Sequence, residues 1–312
     1  MQHCHHILFV SQGLADETEA LTQAMSLARN HKATLKALLV CPSLPKEMKD
    51  YRGSYLHSLK AQLMRSAQAA RDIVKVDEVT VPLSIDIECV DTPAIHIIQR
   101  VLREAHDLVI KAAEPKEGDK GFKAIDMALL RKCPCPVWLT RPIQRHRHAI
   151  RVAVAIDPQS STPEGHALSL QLLGVARTLA DHCSGELHIL SCWDYAFDAY
   201  LRDNVWIKVS EDELHQKTSA IKAAHQAALR NLLSVSGIQG HFQLHPLRGL
   251  AERCIPSFVA EQHIDILVMG TVARTGIAGF LIGNTAENIV QNLTCSLLAL
   301  KPNGFVSPVA AY

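Results

Sequence analysis

The sequence has no long hydrophobic run and almost no net charge. None of its 312 residues belongs to an uncharged apolar stretch of about 18 residues, the length that spans a membrane, so membrane insertion is not expected. Its 32 lysines and arginines are balanced by 31 aspartates and glutamates, which gives a formal net charge of +1. No overall field therefore draws the chain to nucleic acid or to an anionic surface, and a general nucleic-acid-binding function is disfavoured.

The chain also lacks the features of an export signal and of a disulfide framework. The segment Met1–His6 has neither the basic end nor the apolar core of a signal peptide, which predicts a cytoplasmic protein. The nine cysteines are an odd number, and thiols in a reducing compartment behave as small hydrophobic groups, so we interpret them as core residues. Most stand singly inside apolar runs, as do Cys41, Cys89, Cys192, Cys254 and Cys295.

Metal and redox motifs are weak in this sequence. The histidine-rich segments His3–His6 and His146–His148 do not have the separated ligand pairs of a structural zinc site. We expect surface or strand-edge histidines and no metal centre, with weak adventitious capture of a metal at the amino end as the alternative. Cys133 and Cys135 are separated by one proline rather than by two residues, so a redox pair is not favoured.

The second half of the chain alternates short apolar runs with segments of helical periodicity. The run Val152–Ile156 stops at Asp157, as a strand buried on both faces does before a turn. The order strand, helix, strand that continues from there is that of a parallel sheet covered on both faces. The predicted strands are 152–156, 187–193, 242–245, 266–269 and 296–300, and the predicted helices are 164–182, 211–235, 250–262 and 285–292.

The first half repeats this order element for element, which indicates an internal duplication. Even short phrases correspond, as Asp107–Ile110 does with Asp265–Val268. A length of 312 residues suits about two domains, and a polar segment at 141–151 separates the copies. We therefore predict an α/β protein of two tandem five-stranded parallel-sheet domains, residues 1–145 and 150–304. The first copy has predicted strands at 7–10, 35–40, 83–89, 108–110 and 137–139 and helices at 17–30, 51–74, 94–105 and 124–132.

One loop carries the strongest indication of a ligand site. Ligands of open parallel sheets bind beyond the carboxyl ends of the strands, where the winding direction reverses. After the fourth strand of the second half, the segment Gly270–Glu287 contains four glycines and leads into a helix. Glycines let the backbone approach a ligand closely, and helix amino termini attract phosphate oxygens. The loop alone is equally consistent with an ordinary glycine-rich connection.

The same loop resembles that of the universal stress protein family. The resemblance is carried by Met269–Gly276, by Gly283–Asn288 and by the strand that ends in Asp157. Together with the duplication it covers nearly the whole chain, and it is similar in particular to the two-domain, E-type members. It implies two domains of the adenine-nucleotide alpha hydrolase-like fold.

The loop departs from the family pattern at two positions. ATP-binding members have glycine, two residues, glycine, nine residues, glycine and then serine or threonine. Gly270 and Gly283 match the first and third glycines, whereas Ala273 replaces the middle one and Asn284 replaces the hydroxyl residue. An alanine methyl could block close approach of a phosphate, while Asn284 can cap a helix and Thr285 keeps a hydroxyl one position later.

The resemblance implies an ATP or related nucleotide site, with Mg, in the second domain. By analogy, Asp157 would hydrogen-bond the adenine or ribose. A different small ligand in the same cleft and an empty structural loop remain alternatives. The residues that would line the ribose and phosphate site are Gly270, Ala273, Arg274, Gly276, Gly283, Asn284 and Thr285.

The first domain has lost this pattern. Gln12 stands where Asp157 does in the second domain, and the corresponding loop carries Glu114, Glu117 and Asp119, which would repel phosphate. We interpret the first domain as having a degenerate ligand site, with a role in packing against the second domain or a partner subunit.

The sequence shows no nucleophile beside a base and no paired carboxylates at the cleft, so no catalytic residues are assigned. The resemblance favours a non-catalytic sensor or adaptor in stress responses, assembled as a homodimer. Two alternatives remain: an interaction scaffold without a working nucleotide site, and a weak nucleotide hydrolase in which Asp157 would be the general base.

Overall fold

A computed structural model describes residues 4–114, 120–195, 210–271 and 282–312. The strands in these residues are β1 His6–Ser11, β2 Thr34–Cys41, β3 Leu83–Cys89, β4 Leu108–Ala112, β5 Val137–Thr140, β6 Arg151–Ala155, β7 Glu186–Trp193, β8 Gln243–Arg248, β9 Ile266–Gly270 and β10 Ser296–Leu300. The α-helices are α1 Thr18–His31, α2 Arg52–Val74, α3 Pro93–Glu104, α4 Ala124–Lys132, α5 Pro163–Cys183, α6 Glu211–Ser236, α7 Ala251–Glu261 and α8 Asn284–Gln291.

The strands form one sheet in the order β3-β2-β1-β4-β5-β10-β9-β6-β7-β8. Within each half all neighbours are parallel, which confirms the predicted α/β class with two five-stranded parallel arrays. The arrays join through antiparallel pairing of β5 with β10, where Trp138 faces Leu298. Because the pairing is antiparallel, the carboxyl ends of the two arrays lie at opposite edges of the continuous sheet.

The central strands are buried because helices cover both faces of the sheet. In β1 the residues from Ile7 to Val10 are at most 1% exposed, which explains why they form an uninterrupted apolar run rather than an alternating one. Successive side chains point to opposite faces, so Phe9 packs in the hydrophobic layer that includes α1 and α5, and Leu8 packs in the layer that includes α3 and α7.

The phrases repeated between the halves have a structural reason. Asp107, just before β4, accepts hydrogen bonds from the backbone N–H groups of His5 (2.6 Å) and His6 (3.1 Å). Asp265, just before β9, accepts one from the backbone N–H of Arg151 (2.8 Å). In each half one aspartate thus fastens the beginning of the first strand to the beginning of the fourth.

Two elements depart from the predicted boundaries in informative ways. The strand predicted at 242–245 continues through Pro246 to Arg248 as β8. This strand is at the edge of the sheet and has a neighbour on one side only. The N–H that a proline lacks is therefore not needed to bond a second strand. The last helix begins at Asn284 rather than at residue 285, with Gly283 as its N-cap.

No helix in the described parts of the chain is long and apolar enough to cross a membrane. In the same parts, no cluster of three or more histidine, cysteine or acidic side chains could hold a metal ion.

Candidate functional site

The candidate site lies where β6 and β9 end side by side. These strands are parallel neighbours, with Ala155 paired to Met269, so Asp157 and Gly270 emerge at the same edge of the sheet. The chain winds from β6 outward to β7 on one side and is flanked by β9 on the other, which makes this the point where the winding direction reverses. Because α8 leads from this edge back into β10, its amino terminus lies there too.

Asp157 is held at this edge of the sheet, beyond the end of β6. Its side chain accepts a hydrogen bond from the backbone N–H of Gln159 (3.2 Å), and its backbone carbonyl accepts one from the Ser169 hydroxyl on α5 (3.2 Å). The residue is half-buried. The short turn after β6 therefore fixes the position of the carboxylate and leaves part of its surface open at the edge of the sheet.

A buried histidine supports this turn, and the sequence had no signal for it. His225 on α6 is 1% exposed, its Nε2 lies 2.8 Å from the hydroxyl of Ser191 on β7, and its Nδ1 lies 3.2 Å from Oε1 of Gln159. Burial lowers the pKa of His225, and the nearby Asp157 opposes that shift. A neutral imidazole therefore connects β7 to the turn that carries Asp157.

Ser191 and His225 form the type of hydroxyl–imidazole pair that nucleophilic catalysis uses. Both side chains are 1% exposed, so a substrate could not reach the serine oxygen in this conformation. The pair acts as a structural link between α6 and the sheet. The two residues are 34 positions apart in the sequence and meet only through the packing of α6 on β7, which is why sequence reasoning missed them.

The amino terminus of α8 lies at this edge. Gly283 is the N-cap with φ −61° and ψ 147°, and its carbonyl accepts the backbone N–H of Glu287 (2.8 Å). The N–H groups of the first helical residues have no acceptor within a helix. Asn284 and Thr285 are exposed. The expectation that Asn284 caps the helix is wrong by one position, because Asn284 is its first residue.

Gly270 has a packing reason to be a glycine. A Cβ at this position would lie 2.7 Å from Cδ2 of Leu168 on α5, so a larger residue would require Leu168 to move. Close packing of β9 against α5 thus accounts for this glycine without a ligand. Ala273, Arg274 and Gly276 belong to residues 272–281, which lie outside the described part of the chain.

In the first half, side chains of the chain itself fill the equivalent edge. Lys111 on β4 occupies the position of Met269, and its Nζ lies 2.8 Å from Oδ1 of Asp126 in the first turn of α4. These two side chains are 3% and 0% exposed. Asp126 also accepts the backbone N–H of Glu114 (3.2 Å). A carboxylate therefore sits near the helix amino terminus, where α8 has Ala286.

Further polar groups complete this filled crevice. Nζ of Lys111 also contacts Oε1 of Glu114 (3.2 Å), and Gln12, the counterpart of Asp157, donates to the same oxygen (3.4 Å). The Ser11 hydroxyl donates to Glu17, whose pKa burial raises to about 7. Glu117 and Asp119 lie outside the described residues.

Two cavities lined by described residues lie away from this edge. The larger, of about 530 Å³, lies between the halves and is lined by Gln23, Leu27, Trp138, Leu179 and His182 among others. The other, of about 380 Å³, lies between the segment at 141–145 and the beginning of β9.

Comparison with known proteins identifies the fold and the family. The chain resembles universal stress protein E of Photorhabdus laumondii, with 28% identity over all of this chain and 99% of the relative. It also resembles universal stress protein E of Escherichia coli K12, with 32% identity over 73% of this chain and 71% of the relative. A crystal structure of a functionally unknown protein from Pseudomonas aeruginosa PAO1 matches with a TM-score of 0.73 and 25% identity over 97% of this chain and 95% of that one.

A universal stress protein from Archaeoglobus fulgidus has the same fold, with a TM-score of 0.60 and 14% identity over 95% of this chain and 98% of that one. The family model described as the universal stress protein family matches twice, at residues 3–141 and 150–301. The names shared by these relatives support a role in the response to stress. The chain belongs to the universal stress protein family, as a tandem-domain member of the E type.

Proposed function

We propose that this protein acts as a non-catalytic sensor or adaptor in the stress response and binds ATP, a related nucleotide or another small anionic ligand at the carboxyl edge of β6 and β9. The observation that carries the proposal is the contrast between the two halves. In the first, a lysine–aspartate pair occupies the crevice beside α4. In the second, the uncharged Met269 and Ala286 stand at those positions beside α8.

The chemistry of the second edge suits a nucleotide. The N–H groups at the beginning of α8 and the partial positive charge of the helix favour phosphate oxygens. The carboxylate of Asp157 suits the donor groups of an adenine or a ribose. In this proposal Ala273, Arg274 and Gly276 line the phosphates together with Gly270, Gly283, Asn284 and Thr285, and Mg accompanies ATP.

We propose a non-catalytic role because, among the described residues, no accessible nucleophile at this edge is paired with a general base. The Ser191–His225 pair is enclosed, and Asp157 is the one carboxylate that we assign to the crevice. Weak hydrolysis with Asp157 as general base is the competing function. Turnover that persists through extensive purification and is lost in Asp157→Ala would favour it.

A matched pair of charge variants tests the nucleotide site. Asn284→Asp adds one negative charge to an exposed residue at the beginning of α8 with almost no change of shape, and Ala124→Asp adds the same charge at the corresponding position of α4. We expect ATP–Mg affinity to fall about tenfold or more in Asn284→Asp, a cost of about 1.4 kcal/mol, because the new carboxylate repels phosphate. Isothermal titration calorimetry measures the difference.

Ala124→Asp should bind ATP–Mg as the wild type does, because the first crevice is already filled by Asp126 and Lys111. Equal weakening in both variants, or no nucleotide binding by the wild type, would contradict the nucleotide proposal. The second result would leave the protein as an interaction scaffold, with partner binding that is indifferent to nucleotides.

A further inference from the structure

Two cysteines meet at the outer edge of the first half. Cys41 is the last residue of β2 and Cys89 the last of β3, and the two are direct partners in the parallel register. Their Sγ atoms are 3.2 Å apart. Side chains of register partners point to the same face of a sheet, and neighbouring strands are about 4.8 Å apart, which lies within the range of Cα separations that a disulfide bridges.

The two thiols differ in access. Cys89 is half-buried on β3, the edge strand of the sheet, whereas Cys41 lies behind it and is 3% exposed. Because Cys89 is the more exposed of the two residues, we expect an oxidant from solvent to react there first. The sulfur of Cys41 is already in contact with the sulfur of Cys89. Burial, with a smaller effect from Cys89, raises the pKa of Cys41 to about 12, so Cys41 remains a thiol at neutral pH.

The chain contains a natural control for this pair. The Sγ atoms of Cys133 and Cys135 are also in contact, 3.6 Å apart, but both residues are buried, at 0% and 9% exposure. If sulfur contact alone determined oxidation, both pairs would react. If access is required as well, the pair at the edge of the sheet would react and the buried pair would not.

We propose that Cys41 and Cys89 form a redox modification site, at which hydrogen peroxide or an organic hydroperoxide converts the two thiols into a reversible cross-strand disulfide. In the first step the thiolate of Cys89 attacks a peroxide oxygen: an S–O bond forms, the O–O bond breaks, and the departing hydroxide or alkoxide takes up a proton. Cys89 is then a sulfenic acid.

In the second step the sulfur of Cys41 attacks the sulfur of Cys89. The S–S bond forms, the S–O bond breaks, and the hydroxide leaves with the proton of Cys41 as water. With hydrogen peroxide, two thiols and one peroxide thus give one disulfide and two waters. A small dithiol reverses the bond by thiol–disulfide exchange.

The disulfide would fasten the edge strand β3 to β2 and close a loop that contains α2. Because α2 carries Ser66, whose hydroxyl accepts the backbone N–H of Glu17 (3.1 Å), the bond would also hold the helix that borders the filled crevice of the first half. Oxidation should therefore raise the melting temperature of the full chain, since a cross-link restricts the unfolded state.

The experiment treats the full-length protein with equimolar hydrogen peroxide, blocks the remaining thiols by alkylation and maps disulfides by mass spectrometry. We expect a link that joins Cys41 to Cys89, consumes two of the nine free thiols and disappears on treatment with dithiothreitol. Cys133 and Cys135 should remain alkylated as free thiols over the same time.

Single variants test the order of the steps. In Cys41→Ser, Cys89 should accumulate as a sulfenic acid that dimedone traps; in Cys89→Ser, Cys41 should stay reduced. Circular dichroism before treatment verifies that each variant is folded. The proposal is overturned by a wild-type Cys89 that reaches only the sulfinic acid, by a link between two chains, or by formation of the Cys133–Cys135 bond before that of Cys41 with Cys89.

Discussion

Glu17 is a buried residue whose charge changes near neutral pH. It is 9% exposed, and burial raises its pKa from 4.5 to about 7, although the Ser11 hydroxyl and Lys111 both stabilise its charged form. Because the folded-state pKa lies above the unfolded value, the folded protein binds more protons between these two values. The contribution of Glu17 to stability is therefore greatest below about pH 4.5 and is lost as the pH rises through 7.

Glu17→Gln should remove this loss. The amide has the shape of the protonated acid and can still accept the hydrogen bond of Ser11. At pH 8 we expect the variant to be more stable than the wild type by about 3 kcal/mol, from 1.36 kcal/mol per pKa unit, and at pH 4.5 we expect the two to be nearly equal. Urea unfolding at both pH values measures the difference, with the exposed Glu19→Gln as the control that should show no such trend.

A second prediction at this scale concerns the buried pair of Lys111 and Asp126. Lys111→Met introduces the residue found at the same position of the second half, but it leaves the carboxylate of Asp126 without its cation. Removal of one partner of a buried ion pair costs about 3–5 kcal/mol. The double variant Lys111→Met, Asp126→Ala, which copies Met269 and Ala286, should recover most of that loss.

Urea unfolding of the wild type and both variants at pH 7 measures these differences. If the double variant is no more stable than Lys111→Met, the Lys111–Asp126 pair cannot simply be exchanged for the apolar residues of the second half. That outcome would also weaken the argument that the first crevice is filled by its own charges.

At the scale of the elements, most strands and helices could be predicted, because apolar runs and helical periodicity are local signals. The strand predicted at 266–269 is Ile266–Gly270, and the helix predicted at 124–132 is Ala124–Lys132. Most predicted boundaries differ from the observed ones by one or two residues, and two of the differences have a clear physical reason. Pro246 does not end β8, because β8 is an edge strand, and α8 begins one residue early because Gly283 adopts the N-cap conformation.

The candidate site was only partly predictable from the sequence. The positions of Asp157 beyond β6 and of Gly270 at the end of β9 follow from the order of elements along the chain. The support of Asp157 through Gln159 and His225 does not, because it depends on how α6 packs against β7. The sulfur contacts of the cysteines were likewise invisible, because Cys41 and Cys89 become partners only through strand register.

At the scale of the whole molecule, the continuous ten-stranded sheet is the feature that sequence reasoning could not supply. Two five-stranded arrays follow from the duplication, but pairing of β5 with β10 depends on two edges that are far apart in sequence. The order is the same when counted inward from either side, and the central pair is antiparallel, as an approximate twofold axis at the seam requires. The predicted domain limits, 1–145 and 150–304, stay a prediction.

The two outer edges of the sheet differ in whether they can pair with a further strand. Pro246 blocks one outer edge of the sheet against further pairing, whereas β3 at the other edge contains no proline. We predict a homodimer, so light scattering should give twice the chain mass of 34.3 kDa. A mass that stays at one chain across the accessible concentration range would contradict this prediction without affecting the nucleotide proposal.

We propose that the chain retains one open anion site, in its second half, and has filled the other with its own side chains. A crystal structure of the full chain grown with ATP and magnesium tests this most directly. We expect one nucleotide per chain, with its phosphates at the amino terminus of α8 and its adenosine beside Asp157. A nucleotide beside Lys111 and Asp126, or equal occupancy of both halves, would contradict it.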